Sequence, residues 1–277
     1  MSEPDVDQEL LARVDNQVLW LTLNRPDAGN AITPAVRNRI IEHLGDASAR
    51  FDVRAVVLTG TGEKHFCTGA DLRAGRANPP PPPPDGMPER LTGDATRMIR
   101  TGIQRLIGAF LDCEKPIIAA VNGTAAGGGV AMVLASDLVI AADHARLIQV
   151  FVRRGLIPDG GPTYLLPRLV GLQKAKELVF FGDDLPAAEA ERIGLVNKVV
   201  PAAELQSTAR AWAERLAQGP TRSIAFAKQL LNRSLDTDRA SMFEQESMIV
   251  ELIAGTHDSA EGVASFVERR PTEFKGY

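Results

Sequence analysis

Cysteine is nearly absent from this chain of 277 residues: Cys67 and Cys113 are its only two. No secretory n-region and h-region precede the first strand pattern, so a reduced cytoplasm is the simplest expected compartment. Histidine is as sparse, with His43, His65, His144 and His257 in four separate segments. His65-x-Cys67 is the only potential ligand pair; without a second cluster at metal spacing, no zinc site is expected. Charge of one sign is lacking too: 31 basic against 35 acidic side chains leave −4. That balance argues against a nucleic-acid partner held by phosphate neutralisation. A membrane span is missing as well. The stretch from Ile117 to Ser136 carries no charge, and Gly123 and Gly127 make a GxxxG within it. Four glycines with Asn122, Thr124 and Ser136 make it too polar to cross a bilayer as a helix.

What is there is an ordinary α/β composition, 44% hydrophobic and 24% charged, in a chain long enough for one large domain or a domain with an appendage. Its organising stretch is PIIAAVNGTAAGGGVA, residues 116–131: an apolar strand, a turn at Asn122-Gly123, and three glycines opening a helix. Without Cβ atoms, Gly127, Gly128 and Gly129 can bring bare N–H groups against a ligand, and at a helix start those groups lack intrahelical partners and favour an anion. GTAAGGG lacks the lysine and Ser/Thr of a P-loop and the spacing of a dinucleotide fingerprint.

Ahead of it, Leu10-Leu11 and Val18 to Leu23 flank Asp15-Asn16 and predict a β-hairpin. Thr33-Pro34 supplies a cap and first turn for a helix with Val36, Ile40, Leu44 and Ala47 on one face. Val53 to Thr59 reads as a buried parallel strand. Pro79 to Pro84 is a run of six prolines, which places residues 76–88 in an exposed insertion outside the core. Helical periodicity returns from Thr92 to Phe110. Residues 137–142 and 145–150 predict short strands, Pro158-Asp159-Gly160-Gly161 a turn presenting one carboxylate, and 195–200 a last strand. From Ala202 only helical patterns remain. The expected division is therefore an α/β core over 1–201 and a helical region over 202–277.

FCTGADL follows one buried strand and NGTAAGGG the next. Parallel sheets put strand ends side by side, so one main-chain N–H from each turn could converge on a single oxygen as an oxyanion hole; tight turning alone could also explain these glycines.

Six segments in order, NRP (24–26), HFCTGADL (65–72), KPIIAAVNGTAAGGG (115–129), GLIPDGG (155–161), AERIGLVNKVVP (190–201) and EGVASFVERRPTEF (261–274), resemble the crotonase, or enoyl-CoA hydratase/isomerase, superfamily across nearly the whole chain. The resemblance implies a spiral of ββα units, a C-terminal helical trimerisation region, a homotrimer or hexamer, and an acyl-CoA thioester substrate with no cofactor beyond its own coenzyme A. It assigns the oxyanion donors to the N–H groups of Thr68 and Gly128. It places coenzyme A near Arg25 and the backbone of Ala70, Asp71 and Leu72, with Phe266 and Arg269 reaching it from a neighbouring subunit. Hydratases of the family orient a water with two glutamates; Ala131 and Phe151 stand in those places, and neither side chain can exchange a proton. Asp159 matches the carboxylate that some family isomerases use alone, while by itself it is also a turn-former. Asp71 and Asp137 read as backbone caps. Three functions follow: an isomerase shifting a double bond from the 3,4 to the 2,3 position with Asp159 as acid and base, a hydratase using Asp159 alone, or a non-catalytic acyl-CoA-binding trimer.

Overall fold

A computed structural model describes residues 6–72, 84–88 and 92–277. After a single helical turn, α1 (Val6–Glu9), the chain forms the hairpin β1 (Leu10–Asp15) and β2 (Val18–Leu23). Asn16 and Gln17 both take positive φ, 50° and 64°, the backbone of a tight hairpin turn whose twist matches its strands. Helix α2 (Pro34–Ala49) starts where Thr33 Oγ1 accepts the Val36 N–H at 3.2 Å, and it buries Val36, Ile40, Leu44 and Ala47. Strands β3 (Ala55–Gly60) and β4 (His65–Cys67) follow. Of the proline-rich insertion expected over 76–88, most lies outside the described residues; 84–88 are exposed.

The helical pattern after Thr92 is two helices, α3 (Asp94–Ile99) and α4 (Arg105–Asp112), joined through a wider π-type turn over Arg100–Gln104 that kinks at Gly102. Then come β5 (Ile117–Val121), β6 (Thr124–Ala126) and α5 (Gly128–Ala135). Next are β7 (Leu138–Ala142), β8 (Arg146–Ile148), α6 (Pro162–Val170) and α7 (Leu172–Phe181). Strand β9 (Asp184–Pro186), α8 (Ala187–Arg192) and β10 (Lys198–Val200) complete the strand-bearing part. Helices α9 (Leu205–Ala217), α10 (Thr221–Arg233), α11 (Arg239–Ala254) and α12 (His257–Glu268) end the chain.

The strands form two sheets, a larger one in the order β1-β2-β3-β5-β7-β10 and a smaller one in the order β4-β6-β8-β9. Within the first, β1 is antiparallel to β2 and every other neighbour is parallel. Within the second, β4, β6 and β8 are parallel and β9 runs against β8. Each strand of the large sheet from β3 to β7 is thus followed by one of the small sheet and then by a helix, the ββα spiral. Strand β6 is where the structure departs from the strand-turn-helix reading of 116–131. Three small residues are too few to show a period of two, yet their backbone pairs with β4 on one side and β8 on the other.

Helix α9, beyond the boundary expected after residue 201, lies on the large sheet with Leu205, Ala209, Ala213 and Ala217 in the common core. Alanines every fourth residue let the helix come close to the strands, and the core therefore extends to residue 217. No helix among the described residues is long and apolar enough to cross a membrane.

Candidate active site

The turn after β4 is held from beneath by two buried amides. Asn30 Nδ2 donates to the carbonyl oxygens of His65 (2.7 Å) and Thr61 (3.1 Å). Asn122 Nδ2 donates to those of His65 (3.1 Å) and Gly62 (2.7 Å). With their donors satisfied, these side chains fix where β4 begins and hence where residues 68–71 emerge.

The N–H groups of that turn differ in what they bond to. Thr68 N–H donates to Gly29 O at 3.1 Å, and its hydroxyl donates to the same oxygen. Gly69 N–H points to the Cys67 sulfur at 3.4 Å, and Asp71 N–H donates to Ile32 O at 3.0 Å. Ala70 N–H alone of the four has no partner among the described residues. Thr68, expected as a donor, is therefore corrected: its N–H is consumed in holding the turn to Gly29, and the group left free among the described residues is that of Ala70.

Gly128 N–H, at the first position of α5, has no intrahelical partner. The two turns are in contact there. Gly69 has φ +96°, and a Cβ on it would lie 3.1 Å from Gly128 N. A Cβ on Gly128 would lie 3.6 Å from Gly69 Cα and 3.9 Å from Ala70 N. Ala70 and Gly128 thus bring two unpaired N–H groups side by side.

Around this pair stand the side chains singled out at the two glutamate places. A Cβ on Gly127 would come within 3.8 Å of Phe151 Cζ, so the phenyl ring flanks one side of the glycine turn. Ala131 is fully buried, its methyl 3.6 Å from where a Cβ of Gly160 would be. Gly160 also accommodates Ile103, whose Cγ1 lies only 2.5 Å from that Cβ position; Ile103 Cδ1 is 3.6 Å from the corresponding position on Gly128. Ile103 comes from the kinked turn between α3 and α4 and bridges Gly128 and Gly160. The sequence reads it as one more apolar helix position, because periodicity carries no trace of where a kink will aim a side chain.

Asp159 precedes Gly160 in the chain. It lines an open groove of about 760 Å³ walled by Ile99, Ile107, Leu111, Leu156 and Leu165. Half-buried, its carboxyl is pushed above its ordinary value by burial, the only opposing influence being its own backbone N–H. Cys67 is fully buried and its thiol is pushed up to about 12, so it is no nucleophile.

Arg25, expected near coenzyme A, has its donors engaged. Nε meets Glu9 Oε1 at 2.8 Å, one terminal nitrogen meets Asp71 Oδ2 at 2.9 Å, and the other donates to Ala31 O at 2.7 Å. It thus fixes the turn through Asp71, and Ala70 and Leu72 are exposed beside it. Asp137 serves the backbone, as a cap does: Oδ2 accepts Ile117 N–H at 2.7 Å. Phe266, 85% exposed, and Arg269, which closes α12 at φ 55°, line no part of the Asp159 groove within one chain. Among the described residues no three His, Cys, Asp or Glu side chains gather as metal ligands would.

The whole arrangement has counterparts. A family model described as "Enoyl-CoA hydratase/isomerase" matches residues 13–277. A Rhodobacter capsulatus protein named "Probable enoyl-CoA hydratase" is 37% identical over 256 residues, 92% of this chain and 93% of that one. The "1,2-epoxyphenylacetyl-CoA isomerase" of Escherichia coli is 34% identical over 267 residues, 96% of this chain and 98% of its own. Among solved structures, an enoyl-CoA hydratase from Bacillus anthracis superposes with a TM-score of 0.87 at 31% identity, covering 98% of this chain and 100% of the other.

Proposed function

The chain belongs to the enoyl-CoA hydratase/isomerase family, and within that family we propose that it is an acyl-CoA isomerase moving a double bond from the 3,4 to the 2,3 position. The observation that carries this reading is what stands where the family's hydratases have glutamates: a phenyl at Phe151 beside the glycine turn and a methyl at Ala131, which packs on Gly160, the residue after the one carboxylate, Asp159. Hydration needs a water held and split by an acid and a base, whereas a proton shuttle needs one carboxylate that reaches two carbons in turn.

In this mechanism the thioester oxygen sits between Ala70 N–H and Gly128 N–H. As the proton leaves C2, charge grows on that oxygen, and each donor is worth on the order of 10²–10³ in rate. Asp159 takes the proton and returns it at C4. The groove beside it, largely aliphatic, accepts the acyl chain. Coenzyme A lies over the exposed backbone of Ala70 to Leu72, and Phe266 and Arg269 reach it from a second subunit. The reaction moves one proton and two electron pairs within the substrate and uses no cofactor besides the coenzyme A of the thioester.

Names of hydratases and of an isomerase occur among the relatives at similar identity, so the test sets the two reactions against each other. The purified protein is assayed with 3-enoyl-CoA and 2-enoyl-CoA thioesters. Isomerisation of the first should be measurable, with hydration of the second slower by orders of magnitude. Efficient hydration would replace this reading with a hydratase working from Asp159 alone; turnover of neither, with tight binding of both, would replace it with a non-catalytic binder.

A further inference from the structure

The Asp159 groove shares part of its lining with a second, larger cleft of about 920 Å³. That cleft has Leu134, Leu138 and Ile224 in its walls beside the charged Arg168, Lys228 and Asp236, and its Leu231 and Leu235 are exposed in the single chain. Leu111, Tyr164 and Leu165 line both spaces. Of these Tyr164 is unlike the aliphatic pair, because its position is fixed from outside the groove. Its hydroxyl donates to Asp236 Oδ2. Arg168 donates to Asp236 Oδ1 at 2.6 Å and to the Tyr164 carbonyl oxygen at 2.8 Å, and its guanidinium carbon stands 3.6 Å from the centre of the tyrosine ring. Asp236 sits in the connection between α10 and α11, so a residue far along the chain sets the wall of the groove. The phenol and the guanidinium together hold the Asp236 carboxyl below its ordinary range, which keeps the latch charged.

We propose that Tyr164 is the chain-length gate of the acyl groove, latched by Asp236 and Arg168, and that the cavity beyond it takes the tail of a long acyl chain only when the latch is open. The proposal rests on the acyl-CoA reading of the groove. A chain that enters beside Asp159 has Ile107, Leu165 and the Tyr164 ring among its walls. Each methylene buried short of that ring gains about fourfold in affinity, and each one past it gains nothing while the gate is shut.

The test is calorimetric binding of saturated acyl-CoA thioesters from butanoyl to hexadecanoyl, which bind without reacting and so separate the gate from the chemistry. For the unaltered protein, affinity should climb with chain length and then level off. Tyr164→Ala should carry the climb to longer chains, with the ratio of hexadecanoyl-CoA to butanoyl-CoA affinity at least about tenfold higher than in the unaltered protein. Asp236→Asn, an exposed change that alters the latch and leaves the tyrosine ring in place, should move the plateau in the same direction by a smaller step, and it serves if the first variant folds poorly. A plateau at the same length in both variants, or no plateau in the unaltered protein, overturns the gate. Failure of every thioester to bind more tightly than coenzyme A itself overturns the acyl-CoA reading, and the gate with it.

Discussion

Asp159 carries two demands that pull in opposite directions, and a single substitution separates them. Burial raises its carboxyl above the ordinary value, so the folded protein holds that proton more tightly than the unfolded chain does. The folded state is therefore penalised as pH rises from the unfolded value of about 3.9 through the raised one, and the penalty is fully present at neutral pH. Asp159→Asn keeps the shape and removes the charge. At neutral pH it should melt at a higher temperature than the parent, a difference that shrinks below the unfolded pKa, while isomerisation is abolished and acyl-CoA affinity is largely kept. Calorimetric melting and activity on one preparation check both halves, and a variant that still isomerises at near full rate refutes the assignment of the base. For the same reason the parent's kcat should fall as pH drops through the raised pKa, since only the carboxylate accepts a proton. The corrected oxyanion donor has its own test. Exchanging the Ala70 amide for an ester by semisynthesis deletes one N–H and little else, and should lower kcat by about 10²–10³. The equivalent exchange at Thr68 removes a turn hydrogen bond and should cost stability more than rate.

At the scale of elements, α10 is fastened to the core by a cation under the sheet. Lys228 Nζ, almost fully buried, donates to Asp137 Oδ2 at 2.8 Å, to Phe110 O at 3.0 Å and to Lys115 O at 3.3 Å. Burial outweighs the ammonium and leaves Asp137 above its ordinary value, so the pair repays little beyond the cost of desolvating it. Breaking it is another matter. Lys228→Met strands a buried carboxylate and should cost about 3–5 kcal/mol in a urea melt at neutral pH; the loss should shrink as the medium is acidified and Asp137 takes up a proton. A loss independent of pH would mean that packing, not charge, holds α10. Lys228 shows no special pattern in the sequence, whereas the faces it joins do. Thr33-Pro34 announced α2, Asp15-Asn16 the hairpin, and a nearly continuous apolar run β3, because caps, turns and burial on both faces leave local signatures. Strands β6 and β9, three residues each, leave none: they exist because neighbours far along the chain offer hydrogen bonds. The site divides in the same way. Gly128 and Asp159 stood in readable turn motifs, whereas the choice of Ala70 over Thr68 depended on Gly29 and Ile32 as acceptors, and the roles of Ile103 and Tyr164 on a kink and on a latch closed from Asp236.

For the whole molecule, the question is what covers the C-terminal helices. None of the residues of α11 is buried, and Met248, Val250 and Leu252 are all more than half exposed there. Leu231 and Leu235 before it, and Val263, Phe266 and Val267 after it, are likewise more than half exposed. Apolar side chains spread over three consecutive helices exceed what a lone soluble chain usually leaves in water. The helices themselves are well formed: Asp238 caps α11 through Ala240 and Ser241, and Asp258 ties α12 to the chain end by accepting the N–H groups of Lys275 and Gly276. Ordered, capped elements with uncovered apolar faces suit an interface between copies better than a region yet to fold. We expect a trimer or a dimer of trimers, read by light scattering as three or six times the chain mass. Closed rotational symmetry then repeats one interface around the ring. Placing a charge at its centre, as in Leu252→Lys, should shift the particle toward the single chain and weaken acyl-CoA binding in step, because Phe266 and Arg269 would lose the neighbouring site they serve. Arg269→Ala, by contrast, should weaken binding with assembly unchanged. A single-chain mass for the unaltered protein at working concentration would remove the interface, and with it the assignment of Phe266 and Arg269 to a neighbour's coenzyme A.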